Sequence, residues 1–139
     1  MIRFRKQRHH SSCGLACVSM IANIPYNQVI QDFKDTLRGD VPWVKYRGKW
    51  VLEYNTNTQD LHVMLDTYGI RSNQRWRRYN GDEKSLPELS ILAINYKQDN
   101  GWHWVVCERD GYINIYDPWS GVYGWSSDLD IHAFVRVHS

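Results

Sequence analysis

The chain has 139 residues, a formal net charge of +2, and 42% hydrophobic and 14% aromatic residues. This fits one domain, 1–139, with enough apolar material for a core; it excludes a disordered chain, and the charge is too small to mark a nucleic-acid partner by itself. Three cysteines and a basic start, MIRFRKQRHH, with no apolar stretch after it argue against a signal peptide and a disulfide framework, and no run approaches the ~20 apolar residues of a membrane span.

Residues 7–20, QRHHSSCGLACVSM, turn from polar to apolar at Cys13. The spacing predicts a helix over 13–23 that is apolar almost all round, as suits a helix buried between other elements. Cys13 then stands at a helix N-terminus, where unpaired N–H groups and a partial positive charge favour an ionised, nucleophilic thiol. Ser11 and Ser12 are candidate caps, and Gly14 lets another segment approach Cys13 closely. Gln7 carries an amide able to donate to an oxyanion formed near the sulfur. Cys17, one turn on, reads as a small buried hydrophobe rather than a ligand or redox partner.

Pro25 opens a second helix in which Tyr26, Val29, Ile30, Phe33 and Leu37 follow helical spacing, and Gly39 can end it. Residues 40–57 read as a loop or short hairpin rich in aromatics (Trp43, Tyr46, Trp50, Tyr54); a cover for the core and a wall of a substrate cleft are both open there. Thr58 is the expected N-cap of a third helix with Leu61, Met64, Leu65 and Tyr68 on one face and Gly69 as its stop. An edge strand is expected over 70–79, rich in arginine, and a buried strand over 90–96, SILAINY. Strands 103–108 and 112–116 form a hairpin bounded by Asn100-Gly101 and joined at Asp110-Gly111. A further short strand is expected over 122–125, and the last fourteen residues read as a short helix or strand. Helices first and strands later indicate an α+β fold. The arginine groups at Arg3, Arg5 and Arg8 and at Arg71, Arg75, Arg77 and Arg78 read as solvated or partner-facing surface rather than a nucleic-acid site.

A helix-start cysteine needs a base. Of six histidines, His9 and His10 precede the helix and look exposed; with Cys13 and Cys17 they match no common zinc spacing, so no metal is expected. His62 lies beside an apolar helix face, and His132 and His138 sit near the end without an obvious partner. His103 opens a strand after a glycine turn, so a rigid element can aim its ring into a cleft. The next strand of the same hairpin ends at Asp117, and an antiparallel hairpin brings the start of one strand to the end of the other. A carboxylate on one ring nitrogen fixes the tautomer and leaves the other nitrogen for the thiol.

These stretches resemble a known family. QRHHSSCGLACVSMI is similar to the nucleophile motif of the C39-type papain-like cysteine peptidases, including its six-residue Gln-to-Cys spacing, and WHWVVCERDGYINIYDPWSG is similar to the family's histidine strand followed by Asp-Pro and a glycine. The helix ending in Gly69-Ile70 fits as well, so the resemblance spans nearly the whole chain. It implies a papain-like fold, N-terminal helices packed on an antiparallel sheet, with Cys13 as nucleophile, His103 as base, Asp117 as the orienting acid and Gln7 as oxyanion donor, and no cofactor. The chain departs from the pattern at Ser12, where the family often has Asp, and in segment 40–57, which looks like an insertion. Well-known members are exporter domains that trim leader peptides after a double glycine; this chain has no transmembrane region or ATPase.

The expected activity is that of a stand-alone cysteine peptidase or amide hydrolase acting on a peptide or protein, in the cytoplasm unless a dedicated export system delivers the chain elsewhere. Two alternatives carry the same residues: a papain-like deamidase or acyltransferase acting on a protein glutamine, and an inactive peptidase-like binding module. In the cleft, Trp43 or Trp50 together with Trp119 is expected to be partly exposed beside Cys13, favouring an apolar or small residue near the scissile bond.

Overall fold

The computed structural model describes residues 2–98 and 101–138, with the side chain of Arg38 left aside; Asn100, assigned from sequence to a turn, lies outside them. The all-round apolar segment after Ser12 forms α1 (Cys13–Ala22), with Leu15, Ala16, Cys17 and Val18 fully buried. Asn23 ends it in the left-handed region at φ 55°, donating its N–H to the Ser19 carbonyl. Pro25, with φ already fixed near the helical value, leads into α2 (Tyr26–Phe33), which buries Tyr26, Val29, Ile30 and Phe33. One π-helical turn, Lys34–Arg38, follows and stops at Gly39, whose φ of 61° suits glycine.

The aromatic segment contains a true hairpin, β1 (Trp43–Tyr46) and β2 (Lys49–Leu52), paired Trp43 to Leu52. Its turn residues Arg47 and Gly48 both have positive φ, as a two-residue turn matching the strand twist requires. In α3 (Thr58–Thr67) the N-cap is Asn57, not Thr58. Asn57 Oδ1 accepts the Asp60 N–H at 2.8 Å and Asp60 Oδ2 accepts the Asn57 N–H at 3.0 Å. This reciprocal pairing satisfies two end donors at once, which a cap at Thr58 would forgo. At the other end Ile70 N–H reaches the Leu65 carbonyl and Gly69 N–H the Asp66 carbonyl, a Schellman arrangement that fixes the stop at Gly69.

The remaining chain is one antiparallel sheet. The expected edge strand over 70–79 is two fragments, β3 (Arg71–Ser72) and β4 (Arg77–Arg78), because its apolar content is too low to hold a continuous strand. Both pair with β9 (Ile131–His138), which resolves the C-terminal alternative in favour of a strand. The other strands are β5 (Leu89–Lys97), β6 (Gly101–Asp110), β7 (Tyr112–Asp117) and β8 (Gly121–Gly124), giving the order β3-β9-β5-β6-β7-β8.

Both faces of this sheet are covered, which is why 90–96 reads as a continuous apolar run rather than an alternating one. On one face Ile91, Ala93, Trp104, Val106, Tyr116, Val135 and Val137 join the apolar side chains of α1, α2 and α3. On the other, Leu92, Ile94, Val105, Cys107, Ile115 and Phe134 are closed over by Leu86, Tyr79, Trp125 and Leu129 from irregular segments. The α1 helix packs directly on β6, so the N-terminal end of α1 meets the start of the histidine strand. Among the described residues no single helix is long and apolar enough to cross a membrane.

Candidate active site

Hairpin register decides where His103 and Asp117 fall. With Val106 opposite Tyr116, the strands diverge toward the start of β6 and the end of β7, and there His103 Nε2 lies 2.7 Å from Asp117 Oδ1. The carboxylate is buried, 5% exposed, and saturated. Its Oδ1 also accepts the N–H groups of Trp119 at 2.9 Å and Ser120 at 3.2 Å, and its Oδ2 accepts the Tyr123 hydroxyl at 3.1 Å. Burial pushes the Asp117 pKa up, but the His103 and backbone hydrogen bonds outweigh it and hold the group below its ordinary value. Tyr123, pushed up to about 12 first by burial and then by Asp117, stays a donor.

With Nε2 on Asp117, Nδ1 is left for another partner, and Cys13 is among the groups that favour the protonated ring. Burial pulls the imidazole pKa down; hydrogen bonds to Asp117 and Cys13 and their negative charge outweigh this and raise it to about 9. At neutral pH the ring is therefore imidazolium between an anion and a sulfur. Cys13 is half-buried, whereas Cys17 and Cys107 are fully buried. Burial drives the Cys17 pKa well above the ordinary value and the Cys107 pKa to about 11, so both stay thiols in the core.

Gln7 is brought to the same place but in a different state from the one expected. Its backbone N–H donates to the Pro118 carbonyl at 2.9 Å, tying the N-terminal segment to the loop after Asp117. Its side-chain amide is buried, with Nε2 donating to the carbonyls of His9 at 2.9 Å and His10 at 3.1 Å. Both N–H groups are thus committed, and Oε1 has no partner. Ser12 stands at the N-cap of α1, its carbonyl accepting the Ala16 N–H, but its side chain makes no capping bond. Ser11 Oγ accepts the Tyr54 N–H, and Ser12 Oγ bonds Tyr26 and the His9 carbonyl. The first turn of α1 accordingly keeps N–H groups with no side-chain acceptor.

A pocket of about 280 Å³ opens beside Cys13, lined by Ser11, Asn55, Thr56, Asn57, Asp60, Gly101, Trp102 and Trp104. This corrects the expected cleft wall. Trp43, Trp50 and Trp119 are indeed exposed, at 61%, 65% and 59%, but none lines this pocket. Trp43 borders a separate depression with Arg8, His9, His10, Val51 and Leu52. The aromatic wall at Cys13 comes instead from Trp102 and Trp104, which flank His103 in β6 and therefore lie on the opposite face of the strand from it.

The other histidines are engaged elsewhere. His9 is half-buried, not exposed, with Nδ1 2.8 Å from the Tyr26 hydroxyl, and His10 stacks on Tyr46. His132 stacks on Tyr96 at 3.9 Å and His138 Nε2 meets Asn73 at 2.9 Å, so both have partners after all. His62 Nδ1 lies 3.1 Å from the Ser72 carbonyl. Among the described residues no group of three or more His, Cys, Asp or Glu is placed to hold a metal ion. Sequence reasoning missed Tyr123 and the Trp119 and Ser120 N–H groups as partners of Asp117. An Asp-Pro pair followed by a turn does signal a carboxylate that accepts N–H groups two and three residues on.

No protein-family model matches the chain, and no curated protein matches its sequence. Among solved structures it is similar to a double-glycine-motif protease from an AMS/PCAT transporter, solved in complex with the leader peptide. The TM-score is 0.65 at 18% identity, over 99% of this chain and 91% of that one. At that coverage the chain shares this protease's fold, helices packed on an antiparallel sheet, the fold of the C39-type papain-like cysteine peptidases.

Proposed function

We propose that the protein is a cysteine peptidase or amide hydrolase in which Cys13 attacks, His103 moves the proton, Asp117 holds the ring, and the pocket beside Cys13 receives part of a peptide chain. The observation that carries this reading is the His103–Asp117 pair, 2.7 Å apart, acting on a half-buried Cys13 that lines a pocket at the start of α1. The ring proton is held at neutral pH, so it is available for the leaving amine. The sulfur adds to the carbonyl carbon and the carbonyl electrons move to oxygen. That oxyanion would find the N–H groups of the uncapped α1 N-terminus. As the tetrahedral species collapses, His103 protonates the amine and the acyl group stays on sulfur. A water, deprotonated by His103, then releases the acid.

Gln7 takes part only if it gives up one of its two carbonyl partners, so it is read as a donor engaged when substrate moves the 8–10 segment. The solved neighbour's leader peptide makes a peptide the preferred substrate class. The test is incubation of the wild type and Cys13→Ala with a diverse peptide library, read by mass spectrometry. Cleavage by the wild type that is absent in the variant is the expected result. A mass gain near 1 Da without cleavage would replace hydrolysis of peptides with deamidation, and no change at all would leave a binding module.

A further inference from the structure

The strands β1 and β2 pair with each other and with no other strand among the described residues, so the aromatic segment projects as a two-stranded arm. Its register sorts the side chains onto two faces. Tyr46 shares a face with Val44 and Val51; it stacks on His10 at 3.7 Å and both valines are half-buried, so this face is turned to the body. The other face presents Trp43, Lys45 and Trp50, all exposed, with Lys45 directly opposite Trp50. The two indoles are 61% and 65% exposed, pack into neither core and take no part in the pocket beside Cys13.

The charge of the arm is one-sided. Lys45, Arg47 and Lys49 are exposed, and no Asp or Glu stands between Val41 and Leu52; Asp40 and Glu53 bracket the arm at its base. Arg47 lies over the Tyr46 ring, 5.2 Å from its centroid. Exposed Arg8 borders the same depression as Trp43 and adds a fourth cation. None of the four makes an ion pair among the described residues.

These features choose among occupants. A second copy would set this cationic face against its own like. A protein partner needs a dry apolar centre, from which lysine is depleted, yet Lys45 sits beside both tryptophans. Residues 41–52 also fall short of the roughly 20–30 residues that a stable protein interface uses on each side. A lipid surface meets none of these objections. Indoles settle at the headgroup boundary, lysine stems lie along apolar surface while their ammonium groups stay in the polar layer, and cations are drawn to anionic lipid.

We propose that the β1–β2 hairpin is a docking arm for an anionic bilayer surface, with Trp43 and Trp50 entering the headgroup boundary and Lys45, Arg47 and Lys49 meeting the lipid phosphates. The inference is independent of the peptidase reading, since it asks nothing of Cys13, His103 or Asp117. Docking of this kind is peripheral and reversible.

The experiment mixes the full chain with sucrose-loaded vesicles of phosphatidylcholine, alone or in equal parts with phosphatidylglycerol, and reads the bound fraction after sedimentation. Partition onto the anionic vesicles is expected to be at least about tenfold stronger than onto phosphatidylcholine, and to fall at least about tenfold between ~0.1 M and ~0.5 M salt. The double variant Trp43→Ser, Trp50→Ser is expected to bind at least about fivefold more weakly with an unchanged urea midpoint. The triple variant Lys45→Gln, Arg47→Gln, Lys49→Gln is expected to lose the anionic preference. Removing the same charge from the β4 edge, by Arg75→Gln, Arg77→Gln and Arg78→Gln, is expected to leave binding within about threefold of wild type. Equal binding to both vesicle types, a tryptophan variant that binds like wild type, or an edge variant that loses as much as the arm variant would each overturn the proposal. Lipids brominated on their acyl chains give a check that needs no variant. They are expected to quench the tryptophan fluorescence of the bound wild type, and bound protein with unquenched fluorescence would place the indoles outside the boundary and overturn it. Polyglutamate bound equally by wild type and the tryptophan variant, with no partition onto vesicles, would give the arm to an acidic protein instead.

Discussion

Asp117 does more than face an imidazole. Four donors converge on its two oxygens, so the carboxylate is fixed before any substrate arrives and the His103 ring inherits that orientation. In Asp117→Asn the ring loses its anion, and its pKa should fall from about 9 toward the ordinary 6.5. An NMR titration of the His103 ring proton measures this; a midpoint still near 9 would mean that Cys13 alone holds the proton there. The same shift has a stability consequence. His103 sits above its unfolded value, so its contribution to folding is complete below pH ~6.5 and fades as pH rises through ~9. Asp117 runs the other way: held below its ordinary value, it contributes above its unfolded pKa and loses that contribution as acid protonates the folded form.

The α1 helix and the strands β6 and β7 build the site, and the tightest joint between them and the rest is at Gly14. A methyl there would collide with Thr56 Oγ1 and lie 3.0 Å from Trp104 Cδ1 and 3.1 Å from Leu61 Cδ2. Trp104 and Leu61 are core side chains with no room to retreat. Gly14→Ala should therefore destabilise the fold by about 1–3 kcal/mol despite the better helix propensity of alanine. Urea unfolding of the variant checks it, and an unchanged or higher midpoint would show that the Thr56 segment yields freely. The elements themselves were legible where physics is local. Apolar periodicity located all three helices, and the glycine turn at 111 located the β6–β7 hairpin and with it the approach of His103 to Asp117. What was not legible depends on partners far along the chain. The C-terminal strand is defined by β5, more than thirty residues upstream, and both fragments of 70–79 take their strand partner from β9, far downstream. The pocket is the clearest case. Exposed tryptophans on the β1–β2 hairpin suggested a wall, yet the wall is Trp102 and Trp104, whose side of β6 is set by the sheet and not by their neighbours in sequence.

For the molecule as a whole, the fold places a half-buried cysteine in the lining of a pocket, while the other two cysteines are sealed in its cores. The account stands on His103 activating Cys13. Its most direct test is the rate of Cys13 alkylation by iodoacetamide, followed from pH 6 to 9 in wild type and His103→Ala. The expected result is a single labelled site, Cys13, reacting at pH 6 at least about tenfold faster in wild type than in His103→Ala. Superimposable rate profiles for the two proteins would contradict it.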